Sequence, residues 1–277
     1  MDTSRTTKSC HRRANKPVAI VCCVLVCAFV ATACMPVLKG GSYTGGVITP
    51  NQGDTYEIVD QGTGFSAEAP TANTDINLRV AVAKDSAPVS VNQSACVTWN
   101  GPNNSTIQPG LVLRSRTANG HTRAIMVTNN VSFAFRPGFN VHLADSAAAI
   151  KLTQVGAGTL VRGVGEFWNL KDLPWRICAR AIGGTIDVKA WSLADFSHEP
   201  DWGTPGVGYS TQVPPQWVTA GRPGAYVGHV GPGTKAQFSD LDTDKIADGF
   251  GFGYWDKDLS TKFLLAVNAL WPRSFRS

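Results

Sequence analysis

Residues 174–202 read PWRICARAIGGTIDVKAWSLADFSHEPDW, and the fold is decided there. Over 175–181 and again over 185–191, apolar and polar residues alternate, the period of a strand with one buried face. Ile177 and Ala179 point to one side, Arg176, Cys178 and Arg180 to the other. In the second run Ile186, Val188 and Ala190 oppose Asp187, Lys189 and Trp191. Gly183-Gly184 between the runs is a two-residue hairpin turn. The stretch therefore predicts an antiparallel hairpin, followed by a loop with Glu199-Pro200 and Trp202.

Outward from this hairpin the same grammar repeats. The chain of 277 residues has 28 glycines and 16 prolines, and only 16% of its residues are charged. That composition suits many short strands joined by turns. Alternation predicts strands at 55–59, 75–83, 94–99, 110–116, 123–128, 139–144, 150–154, 225–230 and 235–241. Turn clusters such as Gly101-Pro102-Asn103-Asn104-Ser105 separate several of them. No helical period interrupts the series, and no repeat of 20–50 residues points to a propeller or solenoid. The expectation is an all-β, two-sheet antiparallel sandwich in one domain.

The first 33 residues have a different character. Five basic residues (Arg5, Lys8, Arg12, Arg13, Lys16) precede an apolar run at 18–33, too short for a typical spanning helix. The run ends in Ala31-Thr32-Ala33 before Cys34. Residues 1–33 are read as an export signal, with an uncleaved anchor as the alternative. Ala31–Cys34 has the form of a bacterial lipobox, which makes Cys34 the lipidation site; ordinary signal cleavage at the same bond is the other reading. Residues 34–54, rich in Gly, Ser, Thr and Pro, are read as a flexible tether. The domain is placed at 55–242 and a C-terminal extension at 243–277. The formal charge of +5 comes from 25 Lys+Arg against 20 Asp+Glu. Without the first 33 residues, 20 basic residues face 19 acidic ones, so no electrostatic footprint for nucleic acid remains.

Of seven cysteines, four fall in the export signal. Cys34, Cys96 and Cys178 remain, and lipid on Cys34 accounts for the odd one. Cys96 shares a strand face with Ser94 and Thr98, and Cys178 shares one with Arg176 and Arg180. Outside the cytosol a disulfide between Cys96 and Cys178 is the economical expectation, two free thiols being the alternative.

Several segments in order resemble the concanavalin A-like, laminin-G-like jelly roll. They are DINLRVAVA at 75–83, GLVLRSR at 110–116 with Ala118-Asn119-Gly120 after it, and WRICARAIGGTIDVKAW at 175–191. Glu199–Trp202 and the closing AGRPGAYVGHVGPGTKAQFSDL at 220–241 complete the set. The resemblance covers 55–242; the spacing before Trp202 departs slightly, and His229 stands where leucine is commoner. With its lipobox, QSACVTW and PWRICAR, the whole chain resembles actinobacterial (mycobacterial-type) envelope lipoproteins. The resemblance implies a fold, not an activity.

Catalytic signals are thin. Beyond the export signal the chain has four glutamates, Glu57, Glu68, Glu166 and Glu199, and none stands in the Glu-x-Asp-x-x-Glu row of jelly-roll glucanases. His121, His142, His198 and His229 lack zinc-site spacing. Asp240, Asp242, Asp244 and Asp248 suggest calcium only faintly, because Ala247 and Gly253 occupy the positions where an EF-hand needs glycine and glutamate. No catalytic residue, metal site or cofactor is assigned. Trp191 shares its face with Asp187 and Lys189, with Arg180 across the hairpin, and an aromatic ring among polar groups suits a sugar. These four residues are the candidate ligand site, unless the Glu199–Trp202 loop folds back over Trp191. The apolar segment Phe263–Trp271 is expected to pack on the sandwich. The resulting expectation is an exported, lipid-anchored envelope protein that recognises a glycan without catalysis. A glycan hydrolase or lyase and a structural protein-docking module are the alternatives.

Overall fold

In the computed structural model the alternation at 175–191 becomes two paired strands near one side of a two-layered sandwich. The structure describes residues 38–49, 55–69, 77–102, 106–130, 138–166 and 168–247. In chain order the first strands are β1 (Leu38–Gly40), β2 (Tyr43–Thr49), β3 (Glu57–Asp60), β4 (Gly64–Glu68), β5 (Arg79–Lys84) and β6 (Gln93–Gly101). Then come β7 (Gln108–Ala118), β8 (His121–Asn130), β9 (Gly138–Asp145) and β10 (Leu152–Thr159). A one-turn helix α1 (Val161–Val164) leads into β11 (Gly165–Glu166), β12 (Asn169–Leu170), β13 (Trp175–Ile182) and β14 (Thr185–Ser192). The last strands are β15 (Gly208–Gln212), β16 (Arg222–Gly228) and β17 (Lys235–Lys245).

One sheet has eight strands in the order β1-β2-β5-β16-β7-β8-β9-β10, and the other seven in the order β15-β14-β13-β6-β17-β4-β3. All pairings are antiparallel, and β11 with β12 forms a small ribbon apart. Strands distant in sequence are neighbours, as in β5 beside β16 and β6 beside β17. This is the all-β antiparallel sandwich expected from the sequence.

The inward faces follow from period-2 patterning. Trp175, Ile177, Ala179 and Ala181 of β13 meet Ala95, Val97 and Trp99 of β6, and these bury against Leu111, Leu113, Ile125, Val127 and Val141 of the other sheet. Trp99 and Trp175 are register partners, their rings edge-on at 5.3 Å. Phe65 and Phe238 stack at 4.9 Å. Each such pair adds about 0.5–1.5 kcal/mol beyond the area it buries.

Two features shape the eight-stranded sheet. At Arg114 the backbone enters the left-handed region, with φ 53°, beside a bulge between Leu113 and Arg116. The buried Arg114 guanidinium donates to the carbonyls of Val91 (2.9 Å), Trp217 (3.1 Å) and Gly183, tying this bend to the β13–β14 turn of the opposite sheet. Burial pushes its pKa down, and neutral carbonyls hold it in place. Beyond the bend, the β7–β8 hairpin curls over the outer face until Thr117 and Thr122 press on Gly46 of β2. A Cβ on Gly46 would lie 2.3 Å from the Thr117 hydroxyl and 2.5 Å from that of Thr122. Three strands separate β2 from β8 in the sheet, so the sheet is strongly rolled. Ile48, Ala81, Val112, Ala124, Met126, Ala144 and Tyr226 form a second apolar cluster on this outer face.

Several expectations need correction. The segment 34–54 is not a tether throughout: β1 and β2 belong to the eight-stranded sheet, with Tyr43 and Val47 in the core. Glycines and threonines hid a strand whose inward residues are only two. The domain does not close at 242, because β17 continues to Lys245. Strands β4 and β15 also escaped notice, β4 because four of its five residues are buried and show no alternation. The export signal, Cys34, Asp248 and the segment Phe263–Trp271 lie outside the described residues. No described helix is long and apolar enough to cross a membrane.

Candidate functional site

The Gly183-Gly184 turn sets the register of β13 and β14, placing Arg180 opposite Asp187, Cys178 opposite Lys189 and Arg176 opposite Trp191. On the other side of β13, Cys178 pairs with Cys96 of β6, and the two are joined as the expected disulfide, Cα to Cα 4.1 Å. All these side chains project from the outer face of the seven-stranded sheet, opposite Trp175, Ile177 and Ala179. A disulfide fits an oxidising compartment.

The structure thus brings Arg180, Asp187, Lys189 and Trp191 together, but it does not expose them. Trp191 is 3% exposed and Lys189 2%. The loop after β14 folds back, and the Lys189 ammonium donates to Glu199 Oε1 and the Pro200 carbonyl, both at 2.6 Å. Trp202 closes the roof: Lys189 Nζ lies 4.3 Å and Arg180 Cζ 4.5 Å from its ring centroid. Arg180 Nε donates to Asp187 Oδ2 at 2.6 Å, and the Ser210 hydroxyl donates to Asp187 Oδ1. Burial pushes the Lys189 ammonium below the usual lysine range, while its hydrogen bond to Glu199 works the other way. With Val207 and Phe196, these groups enclose the disulfide.

Of the two readings of this cluster, the structure has the second: the Glu199–Trp202 loop folds back, and no open sugar platform forms on Trp191. Trp191 offers no free ring face, because residues 199–202 cover it. Arg180, Asp187 and Lys189 spend their hydrogen bonds inside the protein, and the cluster is a charged clamp that seats a loop.

Beside the clamp lies an open depression of about 310 Å³. Its floor is an edge of Trp191 with Phe196 and the exposed Leu193; its rim includes Thr98, Arg176, Glu199 and Asp240. Arg176 is held rigid, donating to Thr98 Oγ1 at 3.1 Å and the Asp240 carbonyl at 2.6 Å, and pairing with Asp242 at 2.5 Å. Asp240 stands at φ 50° in an irregular stretch of β17, which turns it toward this rim. Sequence reading missed Arg176, Phe196, Thr98 and Asp240. Only Arg176 had a usable signal, since the turn register places it opposite Trp191.

The remaining candidates do not converge. His142 lies on the outer face of the eight-stranded sheet, where burial and the nearby Arg79 hold it at a pKa of about 4. Asp242 is taken by Arg176. Among the described residues no group of three or more His, Cys, Asp or Glu gathers in a metal-binding arrangement.

Fold and site together define a disulfide-bonded β-sandwich with a small amphipathic depression on one sheet. No family model matches the chain, and no curated protein matches it. Among solved structures, it is similar to a carbohydrate-binding module, CBM66 from Bacillus subtilis. That match has 8% identity and a TM-score of 0.45, over 75% of this chain and 99% of that one. It is also similar to the VIP36 exoplasmic/lumenal domain in its Ca²⁺/Man₃GlcNAc-bound form, with 10% identity and a TM-score of 0.46, over 78% and 90% of the two chains. A Bacillus subtilis protein with a galectin-like fold matches at 11% identity and TM-score 0.43, over 73% and 89%. At these values the likenesses bear on no residue and no ligand of this chain.

Proposed function

We propose that the domain is a non-catalytic glycan-recognition module whose ligand seat is the depression beside the clamp. The observation that carries this reading is the make-up of that depression. Phe196 and Leu193 offer an apolar surface to the C–H face of a pyranose. Arg176, Glu199 and Asp240 stand around it to bond its hydroxyls, while the buried Thr98 accepts from Arg176 and holds it in place. Arg176 and Glu199 are already fixed by protein partners, so little ordering cost falls on binding. A volume of about 310 Å³ suits one or two sugar rings at a surface site.

The test is a glycan array probed with the exported chain, followed by Phe196→Ala. That variant is expected to weaken retention about tenfold, or about 1.4 kcal/mol, with unchanged circular dichroism. Retention unaffected by Phe196→Ala removes the depression as the seat. Failure to retain any glycan removes the function. Release of soluble fragments from a retained polysaccharide favours the hydrolase or lyase reading instead. We further propose that the chain is exported and acylated at Cys34, which mass spectrometry of the mature N-terminus tests; a free Cys34 thiol or an intact residue 1 overturns it.

A further inference from the structure

A second cleft, of about 340 Å³, opens on the other sheet, where the curled β7–β8 hairpin overhangs the ends of β2 and β5. Its floor is built from Gly45, Gly46, Ala81, Ala83 and Gly221. Two of these glycines are sterically required: a Cβ on Gly46 would strike Thr117 and Thr122, and one on Gly221 would lie 2.3 Å from the Arg114 backbone. These glycines let the hairpin and the bend at Arg114 pack closely onto the sheet, and the cleft opens where that close approach ends.

The walls carry, among the described residues, three cations, Lys84, Arg116 and Arg222, and one carboxylate, Asp85. Among the described residues none of the three cations lies within ion-pair distance of a carboxylate. Arg222 Nη1 donates to the carbonyls of Asp85 (2.8 Å) and Ala87 (2.7 Å), and Arg116 Nε to that of Ala220. Both guanidinium groups are therefore aimed by neutral acceptors without losing their charge. Asp85 Oδ1 accepts the Thr44 hydroxyl, which ties the one carboxylate to the wall. Asp60 feels Lys84 through space but lies outside the cleft. Ser115 and Thr117 add hydroxyls, Thr117 sharing a 3.1 Å contact with Thr122.

We infer that this cleft binds a small hydroxylated oxyanion, a sugar ring bearing a carboxylate or a phosphate. The uncompensated guanidinium groups take the anionic group, the fork geometry of arginine suiting either. The Ser115, Thr44 and Thr117 hydroxyls face the ring. Among the described residues no aromatic side chain lines the space, so a neutral sugar has only hydroxyl contacts and little to hold it. The site is separate from the depression on the opposite sheet and does not depend on it.

Titration calorimetry on the exported chain with glucuronate, glucose 6-phosphate, glucose and inorganic phosphate tests the inference. At least one acidic sugar is expected to bind about tenfold or more tightly than glucose, and to weaken as salt rises. Which of the two binds identifies the oxyanion as carboxylate or phosphate. Arg222→Gln is expected to lower that affinity at least fivefold, and Phe196→Ala to leave it unchanged. Arg116→Gln reads the same charge if Arg222→Gln does not fold. Equal binding of glucose overturns the inference, and so does binding of neither acidic sugar. Inorganic phosphate binding as tightly as the sugar phosphate overturns the sugar part of it, and insensitivity to both variants overturns the location.

Discussion

The outer face of the seven-stranded sheet is roofed by a loop that follows its own hairpin by a few residues. The outer face of the eight-stranded sheet is roofed by a distant hairpin bent back over it. The first roof is fastened by charge and aromatic contact: Lys189 to Glu199, Arg180 and Lys189 to Trp202, with the Cys96–Cys178 bond beneath. The second is fitted by the absence of side chains, Gly46 receiving Thr117 and Thr122. A roof made by strong polar anchors leaves a shallow, rigid depression at its margin. A roof made by close approach leaves a deeper cleft where the approach ends. The two candidate ligand sites are by-products of two ways of covering a sheet.

Four changes would break or sharpen this contrast. Replacing both cysteines, Cys96→Ala with Cys178→Ala, removes a crosslink between residues 82 apart in sequence. It is expected to cost about 2–5 kcal/mol in a urea titration, while acidic-sugar binding at the opposite face persists. An unchanged urea midpoint would mean that the first roof does not depend on its covalent tie. Acidification acts on the other face. His142 is held near pKa 4 against a free value of 6.5, so the unfolded chain binds the proton first. Stability is then complete above about pH 6.5 and declines as pH falls toward 4, by at most about 3 kcal/mol. His142→Gln should flatten that part of the profile, and a profile identical to the parent's would exclude His142 as its source.

Gly46→Ala should cost about 1–3 kcal/mol through overpacking. Much of that loss should return when Thr117→Ala and Thr122→Ala are added. Gly46→Ala tolerated in the parent chain would show that the hairpin does not rest on β2. Trp202→Leu removes two cation–ring contacts and should cost about 1–2 kcal/mol. Faster hydrogen exchange is expected at the β14 amides under the loop, with no change at β2.

The contrast also explains what could be read in advance. Strands β13 and β14 alternate strictly, and a two-glycine turn fixes their register, so their faces, the pairing Arg180–Asp187 and the polar side of Cys178 were legible. The return of the Glu199–Trp202 loop over Trp191 was legible only as one of two readings, because it depends on Trp202 meeting two cations that the fold alone brings together. Strand β2 was illegible for the reason that makes it useful: glycines that read as slack are the contact surface for the bent hairpin. The second cleft draws on Thr44, Lys84, Ser115 and Arg222, residues spread over most of the domain, and no local pattern links them.

The position of β1 has a consequence for distance from a membrane. It starts at Leu38, four residues beyond Cys34. Four residues drawn straight reach at most roughly 14 Å. An acyl group on Cys34 would thus moor the rim of the eight-stranded sheet at headgroup height, with no stalk to lift it. The standoff would then be set by the bulk of the sandwich itself.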